Sequence, residues 1–231
     1  MSIRTFRGGA HPSERKDRSQ HAPIEKVNSV PQVVIPVNQH FGAPIQPLVK
    51  VGDFVRVGQK IADAEGRMTV PLHASIAGVV KKIEPRMQSN NADGLCIIIE
   101  PKDSPAGESD REFMPPLDPF ACSKEEALSR IREAGIIGMG GAGFPAHVKL
   151  APTKPISVVI ANAAECEPYL TIDERTLLEM PDKIIDGLSI VMKIINAAEG
   201  VVAIEENKKH TLPLVEKAIQ ENPQVKAGMK I

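Results

Sequence analysis

The chain has 231 residues, of which 42% are hydrophobic and 25% charged, and its formal net charge is −1. This composition is typical of a soluble globular protein with one large domain or two small ones. Because the charge is near zero and the chain has no Trp and one Tyr, we expect no nucleic-acid partner. No signal peptide is visible, and the longest apolar stretch, at 156–164, is too short to span a bilayer. The sequence therefore predicts a cytoplasmic protein, or one that its partners dock on a membrane.

The three cysteines, Cys96, Cys122 and Cys166, lie far apart and form no C-x-x-C pair. This spacing encodes neither a zinc knuckle nor an iron–sulfur motif, and the histidines show no i, i+4 spacing, so we assign no metal ligand. Scattered cysteines in odd number suit a reducing compartment. Cys166 has no histidine near it in sequence, so a buried or cofactor-adjacent thiol is a better interpretation than a nucleophile.

The character of the chain changes near residue 33. Residues 1–32 are polar, rich in Arg and Lys and without periodicity, which indicates an extended arm. Residues 33–101 are predicted to be all-β, since short apolar runs alternate there with Gly, Pro and Asn turns. The predicted strands are 33–37, 53–57, 76–83 and 96–100.

Two segments of the β region share a pattern. Residues 51–61 read V-G-D-F-V-R-V-G-Q-K-I, and residues 70–80 give a second copy of a Pro-Leu…Val pattern. Such quasi-repeats resemble the barrel-sandwich hammerhead shared by biotinyl and lipoyl carrier domains. A carrier needs a lysine at the hairpin tip, whereas the tip at 64–69 reads A-E-G-R-M-T. A structural or docking barrel without a prosthetic group is therefore favoured over a swinging-arm carrier.

Residues 102–122 are rich in Pro, Asp and Ser, which indicates a linker, and residues 123–231 have the alternation of an α/β domain. Ser123 and Glu126 form a capping box at the start of a helix. Strand–helix–strand–helix at the spacing that follows implies parallel strands with right-handed crossovers. The predicted elements are a strand at 156–161, a helix at 181–197, a strand at 201–205 and a helix at 211–222.

A glycine-rich loop, G-M-G-G-A-G-F-P at 138–145, precedes the first of these strands. Four glycines in six residues let the backbone approach a ligand closely and turn its N–H groups toward phosphate or a flat ring. The loop formally matches G-x-G-x-x-G, but that fingerprint should follow a strand, and here a helix precedes it. An ordinary Rossmann site is therefore disfavoured. A nucleotide-type cofactor is the main interpretation, and a tight structural turn is the alternative.

Polar residues follow both predicted strands. Asn162, Glu165 and Glu167 come after the first strand, and Glu205 and Glu206 end the second. In a parallel sheet both positions lie at the carboxyl edge, where ligands of open α/β sheets bind. An amide and several carboxylates suit ring edges and sugar hydroxyls. For Glu205 and Glu206 alone, a solvated strand end is the alternative.

These motifs carry a family resemblance. G-M-G-G-A-G-F-P-x-x-x-K with N-A-x-E-x-E-P is similar to the flavin- and NADH-binding subunit of respiratory complex I. With F-R-G-G-A-H-P at 6–12 and the barrel, the whole chain resembles the RnfC family, the peripheral subunits of Rnf ion-translocating electron transport complexes. The resemblance implies a barrel-sandwich hybrid domain followed by a Rossmann-like parallel α/β domain similar to the complex I flavin subunit.

Carried onto this chain, the resemblance implies a site for FMN, with NADH as substrate. The glycine loop would wrap FMN, Lys149 would face its phosphate or ribityl chain, and Asn162 and Glu165 would contact the flavin. The implied cofactor-binding residues are Gly138, Gly140, Gly141, Gly143, Phe144, Lys149, Asn162, Glu165, Cys166, Glu167, Glu205 and Glu206.

The resemblance also assigns roles around the nicotinamide. Glu167 would lie where NADH approaches, and Glu205 and Glu206 would flank the nicotinamide or its ribose. One position departs from the pattern, because Ala164 stands where complex I subunits have Asp. This change removes a potential hydrogen bond to the flavin.

The function implied is electron entry into a membrane-bound ion-translocating complex, in which NADH reduces FMN and FMN passes electrons to two 4Fe–4S clusters. The cluster motifs are expected beyond residue 231, because the chain stops at 229–231 within an apparent strand. The α/β domain is then expected to be incomplete, and this chain alone is expected to be inactive. The implied partners are other Rnf subunits, on the cytoplasmic side of the inner membrane. The alternative is a cofactor-free subunit resembling NqrA, which serves assembly or quinone contact.

We predict that the 231-residue chain by itself holds no iron–sulfur cluster. Three cysteines cannot supply four thiolates to one cluster. Iron analysis of anaerobically prepared protein should find no stoichiometric iron. A broad absorbance at about 400 nm, together with a matching amount of sulfide, would contradict the prediction.

Overall fold

The computed structural model describes residues 12–27, 29–66, 68–89, 91–225 and 228–231. These residues divide into two compact units. The barrel unit is Val27–Pro155, and the sheet unit joins residues 12–26 to Ile156–Ile231. The motif at 6–12 lies outside the described residues except for Pro12.

The barrel unit contains two antiparallel sheets. One has the strand order β1-β7-β6-β3 and the other β2-β4-β5. Two helices follow the strands in this unit. The elements are β1 (Val33–Pro36), β2 (Gln46–Pro47), β3 (Phe54–Val55), β4 (Lys60–Asp63), β5 (Leu72–His73), β6 (Gly78–Met87), β7 (Asp93–Pro101), α1 (Lys124–Glu133) and α2 (Ala146–Lys149).

The all-β prediction for 33–101 is confirmed, and so is the barrel-sandwich architecture. The long hairpin of β6 and β7 pairs from Gly78↔Pro101 to Met87↔Asp93, and β-branched residues of both sheets fill the core between them. The short strands β2, β4 and β5 were not predicted, because two to four residues are too few to show a period of two. The core side chains include Ile35, Val37, Val55, Ile61, Val80, Ile97 and Ile99.

Helix α1 begins with the predicted capping box. The Ser123 hydroxyl accepts from the Glu126 amide at 3.1 Å, and the Glu126 carboxylate accepts from the Ser123 amide at 2.8 Å. At its other end, Arg132 donates to Asp63 at 2.9 Å and to the Ala64 carbonyl at 2.9 Å. The hairpin tip where a carrier domain would bear its lysine is therefore tied to α1.

The sheet unit is built on three parallel strands in the order β10-β9-β8. Apolar residues of α4 and α5 pack on the strands and close the core around Ile185, Leu188, Val202 and Val215. Its elements are β8 (Val158–Ala163), α3 (Ile172–Glu179), α4 (Pro181–Ile195), β9 (Glu199–Ile204), α5 (Leu212–Glu221) and β10 (Met229–Lys230), with 3-10 helices at Lys16–Arg18 and Glu206–Thr211.

The parallel α/β prediction is confirmed, and each predicted strand and helix lies within a few residues of its observed position. Helix α3 was missed, since its sequence I-D-E-R-T-L-L-E is short and mostly polar. The domain boundaries predicted at 33–101, 102–122 and 123–231 stay a prediction. Along the chain, the two compact units change over at 26/27 and at 155/156. Among the described residues, no helix is both long enough and apolar enough to cross a bilayer.

Acid should weaken the barrel unit through the cluster that holds α1. Burial raises the pKa of Asp63, but hydrogen bonds from Arg132, the Ala64 amide and Lys60 outweigh it and leave that pKa below its ordinary value. The pKa of Glu133 is lowered mainly by its hydrogen bond from Lys60. A carboxyl with a lowered folded pKa stabilises the fold above its unfolded pKa of about 4 and loses that contribution as the pH falls.

We therefore predict that the free energy of unfolding of the barrel unit falls between about pH 5 and pH 3. Arg132→Met should cost about 1–3 kcal/mol near neutral pH, because Asp63 and the Ala64 carbonyl each lose one of their donors, and should flatten the acid limb. Lys81→Met, which removes an exposed ion pair with Glu100, is the matched control. Chemical denaturation across pH measures both; equal effects of the two variants would contradict the prediction.

Candidate functional site

The glycine loop in the barrel unit is closed at its base by backbone hydrogen bonds. The Gly138 amide donates to the Phe144 carbonyl at 2.9 Å, and the Ala146 amide donates to the Ile136 carbonyl at 3.0 Å. The tip of the loop between these contacts is exposed at Gly140 and Gly141. The loop thus presents the backbone of Gly140 and Gly141 to solvent, beside the exposed Met139 side chain.

The fold requires glycine at some positions of the loop and not at others. Gly141 has φ 108° and Gly143 has φ 59°, conformations that other residues rarely adopt. A Cβ at Gly143 would also lie 2.9 Å from the Gln39 carbonyl oxygen. Gly138 and Gly140 have no positive φ, and a Cβ at Gly140 would meet no described atom within 4 Å. Neither the backbone nor the packing of the described residues explains the glycine at 140.

Two aromatic rings and one lysine accompany the loop. The Phe41 amide donates to the Gly143 carbonyl at 2.9 Å, and the Phe41 and Phe144 rings stack with centroids 6.0 Å apart. Lys149 is exposed at the C-terminal end of α2. A cation, an aromatic pair and open backbone therefore lie in one compact unit.

The acid residues of the sheet unit gather at one edge, as the parallel register predicts. Ala163 of β8 pairs with Ile204 of β9, so the segments after these strands begin side by side. Asn162 is exposed at the end of β8, and its side-chain oxygen accepts from the Ala164 amide at 3.1 Å. The Asn162 side chain therefore shapes the turn that carries the acid residues.

A cleft of about 400 Å³ lies at this edge. Cys166 is exposed there, so the predicted thiol is not buried; its Sγ lies 3.8 Å from Glu205 Oε1. Glu167 is exposed on the same turn. The residues that line the cleft are Glu14, Glu165, Cys166, Glu205, Glu206 and Asn207.

Glu165 turns its carboxylate inward and is only 2% exposed. Its Oε1 accepts from the Asp173 amide at 3.0 Å, at the start of α3. Its Oε2 is buried 3.8 Å from the Lys16 ammonium, and no group of the described residues donates a hydrogen bond to it. Burial, followed by the negative charge of Glu165, raises the pKa of Asp173. The site thus contains a buried acceptor with spare capacity.

The Lys16 side chain holds the turn after β8 from inside. It is 7% exposed, and its ammonium donates to the carbonyls of Glu165 at 2.6 Å, Leu170 at 2.9 Å and Glu167 at 3.2 Å. The Tyr169 amide in turn donates to the Glu14 carbonyl at 2.7 Å. Nothing in the polar N-terminal sequence predicted this role.

A second buried lysine braces the same turn. Lys208 is 2% exposed and donates to Glu205 Oε2 at 3.0 Å and to the Glu165 carbonyl at 3.4 Å. The hydrogen bond from Lys208 lowers the pKa of Glu205, and Lys209 does the same for the exposed Glu206. Both carboxylates are therefore ionised at neutral pH. The Glu–Lys spacing of three residues is a signal that could have identified Lys208.

The structure thus brings the predicted residues together in two groups. The sheet unit holds Asn162, Glu165, Cys166, Glu167, Glu205 and Glu206, and the barrel unit holds Gly138, Gly140, Gly141, Gly143, Phe144 and Lys149. Within the described part of the chain, no group of three or more His, Cys, Asp or Glu side chains is arranged to hold a metal ion. The assignment of both groups to a cofactor stays a prediction.

Comparison with known families assigns both halves of the chain. Residues 4–104 match the RnfC barrel sandwich hybrid domain, and residues 131–231 match the Nuo51 FMN-binding domain. These matches define the class: a barrel sandwich hybrid followed by an FMN-binding domain of the Nuo51 type.

Curated relatives narrow this class. The C subunit of the proton-translocating ferredoxin:NAD(+) oxidoreductase complex of Clostridium ljungdahlii is 41% identical, over 94% of this chain and 48% of that protein. The C subunit of the Na(+)-translocating ferredoxin:NAD(+) oxidoreductase complex of Acetobacterium woodii is 35% identical, over 93% of this chain and 48% of that protein. The chain thus combines the RnfC barrel sandwich hybrid domain with the Nuo51 FMN-binding domain and is similar to these C subunits over most of its length, and it spans about half the length of the curated relatives it matches.

A solved structure also aligns with part of the chain. An NAD+-reducing NiFe-hydrogenase in the H2-reduced state is 26% identical and covers 49% of this chain and 21% of its own, with a TM-score of 0.44.

We predict that Lys16→Met lowers the free energy of unfolding of the sheet unit by about 3–5 kcal/mol, because it leaves a buried carboxylate without its nearby cation and removes one donor from each of three carbonyls. Lys209→Met, which removes an exposed ion pair with Glu206, is the matched control and should change nothing measurable. Urea denaturation gives the stability, and hydrogen exchange at 165–171 shows whether the turn opens. Equal stability of the two variants would refute the anchoring role of Lys16.

Proposed function

We propose that this chain forms the FMN and NADH site of an ion-translocating oxidoreductase complex, and that electrons enter or leave the complex there. The proposal extends the names of the relatives, which are subunits of ferredoxin:NAD(+) oxidoreductase complexes, to this chain. A second support is that residues 131–231 match a domain described as FMN-binding.

The observation that carries the proposal is Gly140. Its φ is not positive and space for a Cβ is open, so the fold of the described residues would accept alanine there. A glycine that the protein does not need for itself is explained when another molecule lies against the backbone. The neighbouring Gly141 has a positive φ and is exposed, so a ligand can reach the backbone of the loop.

The residues present fit FMN. The glycine loop and the exposed Lys149 suit the phosphate, since backbone N–H groups and an ammonium bind anions. The unsatisfied Oε2 of Glu165 suits a hydroxyl or ring N–H donor. When bound, FMN would supply exchange between a hydride donor and one-electron carriers.

The acid cleft suits the hydroxyl-bearing part of a nucleotide. Glu205 and Glu206 have lowered pKa values and are ionised at neutral pH, so they repel phosphates and accept hydrogen bonds from ribose hydroxyls or a carboxamide. The Cys166 thiol lies beside the Ala164 carbonyl and the Glu205 carboxylate. In this proposal the thiol is a neighbour of the cofactor and takes no part in chemistry.

In this proposal the chain assembles with other Rnf subunits and is peripheral to the membrane, on its cytoplasmic side. Two 4Fe–4S clusters in the part of the relatives that this chain does not cover would receive the electrons. The 231-residue chain by itself is proposed to be inactive.

The test uses the protein expressed from its complete gene. A yellow protein that releases FMN and reduces ferricyanide with NADH supports the proposal. A colourless protein without this diaphorase activity would refute it and favour the alternative, a cofactor-free subunit of the NqrA type.

Two glycine variants of that protein separate the loop's roles. Gly140→Ala should weaken FMN binding about tenfold with an unchanged free energy of unfolding, because the new methyl group occupies ligand space only. Gly141→Val should weaken binding more than about tenfold and also cost roughly 1–2 kcal/mol of stability, because its φ is positive.

Flavin fluorescence titration and chemical denaturation measure the two effects. Gly187→Ala, at an uncrowded position in helix α4, is the control and should leave FMN affinity unchanged. Unchanged FMN affinity in Gly140→Ala and Gly141→Val would mean that the loop is only a turn.

A further inference from the structure

We propose that Phe41, a residue of the barrel domain, forms one wall of the nucleotide site by stacking on the flat ring of the bound nucleotide. The cofactor-binding residues that the family resemblance implied all lie between Gly138 and Glu206, and none of them lies in the predicted barrel at 33–101. The inference rests on the proposed function, because it adds a contact to the same site.

The backbone of Phe41 is fixed against the glycine loop. Its amide donates to the Gly143 carbonyl at 2.9 Å, and the preceding segment lies so close that a Cβ at Gly143 would be 3.3 Å from the His40 Cα. On the other side, the Ala43 amide donates to the Met68 carbonyl at 3.2 Å. The segment that carries Phe41 is therefore anchored at both ends.

The Phe41 ring is oriented but not covered. Its plane is 19° from that of Phe144, with centroids 6.0 Å apart, which is an offset stack. Phe144 is partly buried, whereas Phe41 is 61% exposed. The chain has only six Phe, one Tyr and no Trp, so two stacked rings at the open glycine loop are an unusual concentration of aromatic surface.

This combination selects a ligand class. Open backbone at Gly140 and the cation of Lys149 suit phosphate, and an exposed aromatic face suits a flat heteroaromatic ring. A nucleotide carries both groups on one molecule. The isoalloxazine of FMN and a ring of NADH share this chemistry, and separate titrations distinguish them.

The experiment compares ring variants of the protein expressed from its complete gene. Phe41→Leu keeps apolar volume but removes the π face, and Phe41→Trp keeps the face. We expect Phe41→Leu to weaken binding of FMN or of NADH about three- to tenfold, and Phe41→Trp to bind as tightly as the parent protein or more tightly. Phe113→Leu, at another exposed phenylalanine of the barrel unit, should change neither affinity.

A second readout does not depend on the stability of the leucine variant. Residues 1–231 contain no Trp, so Phe41→Trp introduces an emission that can be followed after subtraction of the parent spectrum. Saturating FMN or NADH should quench this emission more strongly than that of a Phe113→Trp control.

The outcomes separate the two proposals. A change confined to FMN identifies the isoalloxazine as the stacked ring, and a change confined to NADH identifies a ring of the dinucleotide; either supports the inference. If the parent protein binds both ligands, and Phe41→Leu binds them equally well with no excess quenching in Phe41→Trp, the inference is wrong and the proposed function stands. If the parent protein binds neither ligand, the proposed function fails and this inference fails with it.

Discussion

The buried ammonium of Lys16 is the constraint on which the acid edge of the sheet unit depends. A charge removed from water is costly unless its hydrogen bonds are replaced, and here three carbonyls of one turn replace them. The carboxylate of Glu165, 3.8 Å away, supplies the opposite charge. The requirement works in both directions. The lysine stays buried only if the turn keeps its shape, and the carbonyls of Glu165, Glu167 and Leu170 all accept from the lysine. The contact between Lys16 and the turn therefore sets the shape of the cleft outside the turn.

The contrast among the loop glycines shows how a fold and a function can share a motif. Gly143 is needed because the barrel backbone passes close to it, and Gly141 because its φ is positive. Gly140 answers to neither requirement. In a motif of this kind the fold requires glycine at some positions and not at others. A glycine at a position where the fold does not require it indicates contact with a ligand.

The features predicted from sequence are those that local chemistry decides. The capping box, the glycine loop and the parallel strand pair each depend on residues close in sequence or on a repeated pattern. The contacts that were not predicted join distant segments. Lys16 lies 149 residues from Glu165, and no periodicity or charge pattern signals that pairing. The same holds for Phe41 and Gly143, where the contact is made by backbone groups, which every residue carries.

The attachment of α1 and the glycine loop to the barrel has a consequence for how such genes can change. Residues 105–130 lie between the two family matches, where recombination between two domains would be expected. Yet Arg132 on one side binds Asp63 on the other, and Gly143 binds Phe41. Recombination within 105–130 would join two parts whose mutual contacts had not evolved together. The barrel and the first part of the domain that follows it should therefore be inherited as a pair.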